Sequence, residues 1–282
     1  MSISSNIRVG SLIGADLRVG NVAPLAAYYG DELVFRFNPA SLFASGEQGA
    51  WYDPSDLSTM FTNTAGTTPA TVGDSVARIN DKSGRGNHAT QDVFASRPIL
   101  RQTAGGQYYL EFDGVGDFLQ TPTITPNTDK AQLFAGVRKL SDANAAGLLS
   151  MGSPGGNGSM ELRAPDTSSN SRYLVETGGT VLRQSATSSA PSPTTDIISV
   201  LTDIAAPLTT LRRNGSVAQS NINGMGTGNF LAYPVFIGAR GGTSIPFNGH
   251  IYSLIIRFGA NLDAATIESV EGFVADKTGV TL

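Results

Sequence analysis

The sequence predicts an all-β fold in which two antiparallel sheets pack as a sandwich and a single helix follows near the C-terminus. Short apolar runs recur at close spacing between turns, and 33 of the 282 residues are glycine while only 15% are charged. Many short strands separated by turn residues are typical of sandwiches and barrels. A chain of this length holds one large β domain or two smaller ones.

The first 37 residues differ from the rest. The segment IRVG at residues 7–10 recurs as LRVG at residues 17–20, and each copy is a short apolar strand closed by glycine. So few strands do not bury a core alone. We predict that residues 1–37 form a β anchor that pairs with another subunit; the alternative is that they are the first strands of the main sheet. The anchoring contacts would come from Ile7, Val9, Leu17 and Val19.

Residues 38–50 are predicted to be a linker, and the main domain is predicted to span residues 51–282. Within that domain a polar, glycine-rich loop occupies residues 79–91. Two of its glycines, Gly84 and Gly86, allow backbone angles that a side chain would forbid.

A strand with a period of two follows this loop. Leu110 and Phe112 fall on one face, whereas Glu111 and Asp113 fall on the other, as in a half-buried strand. Residues 113–116 are predicted to form a turn, and residues 117–121 the return strand.

Further strands are predicted along the remaining chain. The pair Asn214-Gly215 is the strongest hairpin signal, Gly178-Gly179 is predicted to be a two-residue turn, and Pro234 indicates an edge strand or a bulge. The predicted strands cover residues 133–138, 147–151, 159–164, 172–177, 180–184, 196–202, 208–213, 216–220, 230–239 and 245–258.

One helix is predicted at residues 264–277. Asp263 is a good N-cap residue, and Gly279 stands where a left-handed residue ends a helix. Ile267, Val270 and Val274 form an apolar stripe, so the helix is expected to lie against the sandwich.

Three segments carry a resemblance to a known family: DKSGRGNHA (81–89), the Arg-Pro pair at 97–98, and LEFDGVGDFL (110–119). Together they resemble the laminin-G-like, concanavalin-A-like jelly-roll domains of bacteriophage virion proteins, such as tail-fibre, baseplate and head-fibre proteins. Residues 51–61 are similar to the opening segment of that family and residues 261–282 to its closing helix. The resemblance covers residues 50–282.

The resemblance implies a lectin-like jelly roll, a place on the virion, and other virion proteins as partners of residues 1–37. By family analogy it also implies a homo-oligomer, of which a trimer is the common form. The fold itself carries many functions, so the resemblance says little about the ligand.

Composition argues against several classes of partner. The formal net charge is −4 and no dense basic run occurs, which disfavours nucleic acid and anionic membrane surfaces. No apolar run approaches the ~20 residues of a membrane span, so no membrane insertion is expected. The polar first eight residues lack the apolar core of a signal peptide, so we expect synthesis in the host cytoplasm and carriage on a particle. The chain has no cysteine.

No catalytic residue is predicted. Retaining glycan hydrolysis needs two carboxyl groups about 5–5.5 Å apart, and relatives of this fold place them on one strand as Glu-x-Asp-x-x-Glu, a spacing that this sequence lacks. Glu111 and Asp113 are predicted to be structural. His88 is predicted to be a hydrogen-bonded loop residue and His250 a strand residue, and neither has a second ligand at metal spacing.

No cofactor is expected, with calcium as the alternative. Calcium prefers oxygen ligands, and Asp81, Asp113 and Asp117 would supply them if their loops converge. The other interpretation is that these carboxylates cap their own turns.

A glycan site would need an exposed aromatic ring beside polar side chains. The candidates are Tyr173 beside Arg172 and Tyr233 near Arg240, and each ring would alternatively pack in the sheet. Three functions remain open: a receptor-binding component of a phage particle that attaches to host surface glycans, a purely structural virion protein such as a head decoration or baseplate element, and, more remotely, a glycan-cleaving enzyme.

Overall fold

The computed structural model describes residues 26–29, 32–153, 156–180 and 183–282. The predicted anchoring residues Ile7, Val9, Leu17 and Val19 lie outside the described residues. In chain order the strands are β1 (Ala26–Tyr29), β2 (Glu32–Arg36), β3 (Gln48–Tyr52), β4 (Met60–Phe61), β5 (Arg78–Ile79), β6 (Ala89–Thr90), β7 (Ile99–Gln102), β8 (Tyr108–Asp113), β9 (Leu119–Gln120), β10 (Lys130–Lys139), β11 (Gly147–Met151), β12 (Met160–Arg163), β13 (Arg172–Gly178), β14 (Arg183–Ser189), β15 (Thr194–Asp203), β16 (Leu208–Arg213), β17 (Ser216–Asn221), β18 (Val235–Ile237) and β19 (Asn248–Phe258).

Two large antiparallel sheets form the sandwich, which confirms the predicted fold class. The first sheet has the order β17-β16-β15-β10-β19-β8-β7, and β3 also pairs with β19. The second sheet has the order β14-β13-β12-β11-β18-β9-β6-β5-β4. Strands β1 and β2 pair with each other as a separate two-stranded sheet.

The core lies between the two sheets, where alternate residues of each strand point inward. In the second sheet Leu119, Ile237, Leu149 and Leu162 lie in one cross-strand row, and all are at most 3% exposed. Leu133, Val200 and Leu254 belong to the same core from the first sheet. Burial of apolar area at this scale is the main favourable term in folding.

Helix α1 (Ala264–Thr278) covers the outer face of the first sheet, as predicted. Asp263 accepts a hydrogen bond from the Thr266 amide (2.7 Å), and Gly279 ends the helix with φ 75°. Val270 and Val274 pack on an apolar cluster of the sheet that includes Trp51, Phe134, Ile197 and Ile255. Because both faces of β10 and β19 are covered, these strands are buried almost throughout rather than on alternate residues.

The predicted linker at residues 38–50 is instead part of the domain. Pro39–Phe43 forms a 3₁₀ helix whose Leu42 and Phe43 are buried beside α1, and β3 pairs with β19. Arg257 fixes the segment, because its Nε donates to the Leu42 carbonyl (2.7 Å) and its Nη2 pairs with Glu47 (2.9 Å). The prediction was wrong because the apolar outer face of the first sheet needs more cover than one helix supplies.

The predicted strand, turn and strand at residues 108–121 exist, but the strands do not pair. β8 lies in the first sheet and β9 in the second, so the turn carries the chain between sheets. Asp113 Oδ1 caps this turn by accepting from the amides of Val115 (2.7 Å) and Gly116 (3.0 Å).

The two predicted hairpin turns have different outcomes. Asn214 (φ 49°) and Gly215 (φ 77°) connect β16 to β17 and have the positive φ angles of a tight hairpin turn, as predicted. The prediction of a two-residue turn at Gly178-Gly179 was wrong, because β13 extends through Gly178 and β14 begins only at Arg183. Pro234 marks neither an edge nor a bulge: it precedes β18, which lies inside the second sheet. In the described ranges no helix has the length and hydropathy that crossing a membrane requires.

Candidate binding face on the second sheet

The outer face of the second sheet carries one continuous cross-strand row. Its members share an outward direction, because each alternates with an inward apolar residue such as Ile79, Leu119 or Ile237. Neighbouring strands are about 4.8 Å apart, so the row crosses the sheet in regular steps. In order, the row is Phe61, Arg78, Thr90, Gln120, Phe236, Ser150, Glu161, Glu176 and Ser185.

A cleft of about 570 Å³ lies over one half of this row. Arg78, Thr90 and Gln120 contribute from three adjacent strands, while His88 and Phe118 contribute from the flanking loops. Polar groups therefore line the sheet side of the cleft, and Phe118 adds an apolar wall that contacts Phe236 with ring centroids 6.3 Å apart.

Arg78 is held in place within the cleft. Its Nε donates to Asn80 Oδ1 (2.7 Å), and its Nη1 donates to the Thr64 carbonyl (3.2 Å). Gly66 has φ 73°, and a Cβ there would lie 3.1 Å from the guanidinium carbon, so the loop closes tightly over this group. A fixed guanidinium loses little entropy on binding a ligand.

His88 presents a neutral ring to the cleft. Its Nδ1 accepts a hydrogen bond from the Asp81 amide (3.0 Å), as predicted for a loop histidine. Burial lowers the pKa of His88, and Arg78 lowers it further, against an opposing effect of Asp81. The ring proton is therefore on Nε2, which makes no hydrogen bond with any described residue.

The polar side chains of the cleft differ in whether the fold already uses them. Gln91 donates to the Phe118 carbonyl (3.2 Å) and accepts from the Val93 amide (2.9 Å), so it holds the loop. By contrast, the side chains of Thr90 and Gln120 form no hydrogen bond within the described part of the chain. These two residues retain their full capacity to bind a ligand.

The other half of the row consists of charges that neutralise each other. Arg240 donates to both carboxylate oxygens of Glu161 (2.7 and 3.2 Å). One nitrogen of Arg163, Nη2, donates to Glu161 (3.0 Å) and to Glu176 (2.7 Å). This half is a structural ion-pair network rather than an open set of ligand-binding groups.

The pairing of Glu161 with Glu176 was not predicted from the sequence. The two carboxylates lie on adjacent strands, 15 positions apart in the chain, so no single-strand spacing reveals them. Because both bind Arg163 Nη2, their oxygens are at most about 6 Å apart, near the separation of the two carboxyl groups in retaining glycosidases.

The four predicted glycan-binding residues do not form one site. Tyr173 is fully buried and donates to Asp196 (3.0 Å), so its ring packs in the sheet, the alternative interpretation above, and is not open to a glycan. Arg172 is paired with Asp166 (2.7 Å), and Tyr233 packs against the core. Arg172 lies on the same outer face as Glu176, four residues along β13, and Arg240 lies beside the row, where it is paired with Glu161.

The three calcium candidates act as turn caps, the alternative interpretation above. Asp81 accepts from the amides of Trp51 (2.9 Å), Ser83 (2.8 Å) and Asn87 (3.0 Å). Asp113 and Asp117 bond within their own turn. Across the described residues, no group of three or more His, Asp or Glu side chains is placed to hold a metal ion.

The fold defines the class of the protein as a two-sheet antiparallel β-sandwich with one C-terminal helix. No protein-family model matches the chain, and no curated protein matches it. Solved structures with the same fold do exist. One is a structure of botulinum neurotoxin type C, a toxin whose cell entry depends on interaction with two ganglioside molecules. It has TM-score 0.56 and 12% identity, and the match covers 84% of this chain and 53% of that chain.

Two further structures belong to the same group. The binding domain of botulinum neurotoxin DC in complex with SialylT has TM-score 0.52, 12% identity and coverage of 79% and 52%. The receptor-binding domain of botulinum neurotoxin D has TM-score 0.52, 13% identity and coverage of 69% and 50%. The chain thus spans about half the length of these structures, and at this identity the likeness shows the fold alone.

Proposed function

We propose that this protein is a receptor-binding component of a bacteriophage particle, of the tail-fibre or baseplate type, and that it attaches to host surface glycans through the cleft on the second sheet. The observation that carries the proposal is the row Arg78, Thr90 and Gln120, in which three adjacent strands present polar side chains into one cleft beside Phe118. Sugars are bound by such a combination, because their hydroxyls need hydrogen bonds while their C–H faces pack on apolar rings.

Two independent observations support this assignment. The phage setting rests on the resemblance of residues 81–89, 97–98 and 110–119 to virion jelly rolls. The glycan class is supported by two structural neighbours: cell entry of botulinum neurotoxin type C depends on interaction with two ganglioside molecules, and the binding domain of neurotoxin DC forms a complex with SialylT. We infer for residues 1–37 a role in attachment to other virion proteins and in homo-oligomer assembly.

We also propose that the protein binds glycans without cleaving them. Retaining hydrolysis requires a sugar between the two carboxyl groups and a proton on one of them. Arg163 donates from one nitrogen to both Glu161 and Glu176, so a guanidinium group fills the gap where the sugar would have to lie. Arg240 engages Glu161 from the other side.

Binding to purified host surface polysaccharide tests the proposal. We expect binding by the full chain and at least a tenfold loss, roughly the free energy of two hydrogen bonds, in a Thr90→Ala, Gln120→Ala double variant. Gln102→Ala is the matched control, because Gln102 is an exposed glutamine on β7 of the first sheet. If no host polysaccharide binds, the glycan proposal is wrong and a purely structural virion role is favoured.

A further inference from the structure

We propose that the glycan held in this cleft is acidic, with a sugar carboxylate bound by Arg78. The inference rests on the proposed glycan-binding function and specifies the chemical class of the ligand.

The charge of Arg78 is what distinguishes the cleft. Arg78 forms no ion pair with any carboxylate among the described residues, although its Nε and Nη1 are anchored to Asn80 and Thr64. Seven other arginines do form ion pairs: Arg101, Arg163, Arg172, Arg212, Arg213, Arg240 and Arg257. Arg85, Arg97 and Arg138 resemble Arg78 in having no ion pair with a described residue, but among these four only Arg78 lines the cleft. An anchored guanidinium that lines a cleft and lacks a counter-ion is suited to bind an anion, above all a planar carboxylate.

The remaining groups in the cleft fit a sugar rather than a compact anion. Thr90 and Gln120 extend from Arg78 over two strand spacings, about 10 Å, which is the scale of a disaccharide. The Nε2–H of His88 is a further donor, and the carboxylate of Asp92 at the rim is an acceptor for hydroxyl groups. Since Asp92 is negative, a multiply charged phosphate or sulfate is disfavoured, whereas a single carboxylate at Arg78 matches the single guanidinium charge.

The test uses the full chain and two matched ligand pairs in calorimetric titrations: 3′-sialyllactose against lactose, and tetragalacturonate against its methyl ester. The members of the first pair differ by a whole sialic acid residue, whereas in the second pair esterification removes the charges and adds only methyl groups, so the second pair isolates the carboxylate. We expect the acidic member of at least one pair to bind about tenfold or more tightly than its neutral partner, as for a hydrogen bond to a charged group. Raising the salt concentration should narrow this difference.

Substitutions at Gln120 test the charge of the cleft without disturbing Arg78. Gln120 is exposed and its side chain is not used by the described fold, so Gln120→Glu and Gln120→Lys should leave the melting temperature unchanged. We expect Gln120→Glu to weaken binding of the acidic ligand about tenfold and Gln120→Lys to strengthen it. Arg78→Gln should remove the preference for the acidic member, whereas Arg101→Gln, the same charge change on the first sheet, should not.

The results distinguish failure of the glycan-binding function from failure of the acidic ligand class. If host polysaccharide and all four ligands fail to bind, the glycan-binding function itself is wrong. If neutral and acidic ligands bind equally, and Gln120→Glu and Gln120→Lys bind the acidic ligand equally to each other, glycan binding stands but the acidic class and the role of Arg78 are wrong.

Discussion

Glu161 and Glu176 lie opposite each other on β12 and β13, and the same nitrogen of Arg163 donates to both (3.0 and 2.7 Å). Two carboxylates at this separation on the outer face of a sandwich would suit hydrolysis if a sugar lay between them. Here the guanidinium takes that place, and Glu161 is only 4% exposed. The pair is therefore a stabilising contact in our interpretation.

The first prediction concerns the role of this pair. Glu161→Gln should lower the free energy of unfolding by roughly 3 kcal/mol, because it leaves Arg240 without its carboxylate and Arg163 with Glu176 alone. Glu176→Gln should cost less, since Glu176 is less buried. Urea unfolding measures both values.

A reducing-sugar assay on host polysaccharide gives the second readout for this pair. The natural chain should release no fragments. Release that disappears in Glu161→Gln or Glu176→Gln, while the variant stays folded, would show that the protein is a hydrolase and that our assignment of Arg163 is wrong.

The second prediction concerns the docking of α1 on the first sheet. A Cβ at Gly136 in β10 would lie 2.1 Å from Thr278 Oγ1 and 3.1 Å from Val274 Cγ1. Gly136→Ala should therefore destabilise the protein by about 1–3 kcal/mol through overpacking. Trp51 is the only tryptophan and contacts Phe273 of α1 at 5.8 Å, so its fluorescence reports whether the helix stays docked.

A double-mutant cycle provides the control. Thr278→Ala removes the nearest atom, so Gly136→Ala should cost less in that background. Gly224→Ala is the matched glycine control, because a Cβ there meets no atom within 4 Å. An equal cost of Gly136→Ala in both backgrounds would contradict the contact with Thr278.

Patterns within one element could be predicted from the sequence, whereas contacts between distant segments could not. Asp263 and Gly279 mark the two ends of α1 locally, and Asn214-Gly215 marks its hairpin. The row Arg78, Thr90 and Gln120 depends on the order of strands β5, β6 and β9, which local periodicity does not contain. A usable signal was present, since each member precedes or follows a buried residue (Ile79, Ala89 and Leu119).

The burial of Tyr173 is a feature that the sequence left undecided. Its ring is buried and its hydroxyl donates to Asp196 on β15. The buried carboxylate that satisfies this hydroxyl lies 23 residues away, so local sequence alone did not decide between an exposed ring and a packed one.

The third prediction is a pH dependence of stability that arises from Asp117. Burial, together with the charge of Asp113, raises the pKa of Asp117 to about 7 from 3.8. Between these values the unfolded state releases the proton while the folded state keeps it, so this group stabilises the fold at low pH and its contribution falls as pH rises to about 7. The free energy of unfolding at pH 8 minus its value at pH 4 measures this effect. The difference should be higher by roughly 1–4 kcal/mol in Asp117→Asn than in the natural chain.

His250 supplies the control with the opposite sign. Burial lowers its pKa to about 4, so the contribution of His250 is present above pH 6.5 and is lost as pH falls through about 4. His250→Phe keeps the stacking on Tyr109, whose ring centroid is 4.0 Å away. The free energy of unfolding of this variant should fall less at low pH than that of the natural chain. Urea titrations at pH 4, 6 and 8 measure both slopes. Parallel profiles for Asp117→Asn and the natural chain would show that Asp117 does not titrate in this range.

The last prediction concerns residues 1–37 and tests whether they are an anchor or part of the core. Phe37 packs against Phe273 of α1 (6.4 Å between ring centroids), so the cut should fall just before it. A chain that starts at Phe37 should keep the melting temperature of the full protein within a few degrees, since both large sheets and α1 remain complete. It should fail to incorporate into particles when supplied to a phage that lacks the full-length protein.

A chain that starts at residue 44 is the matched control, because it also loses the buried Leu42 and Phe43. Loss of these two side chains should cost about 3–5 kcal/mol or more and lower the melting temperature by roughly 10 °C. If the chain starting at Phe37 unfolds like the shorter one, residues 1–36 belong to the core and the anchor assignment is wrong. If it folds and enters particles normally, residues 1–36 are not needed for attachment and the anchor assignment is also wrong.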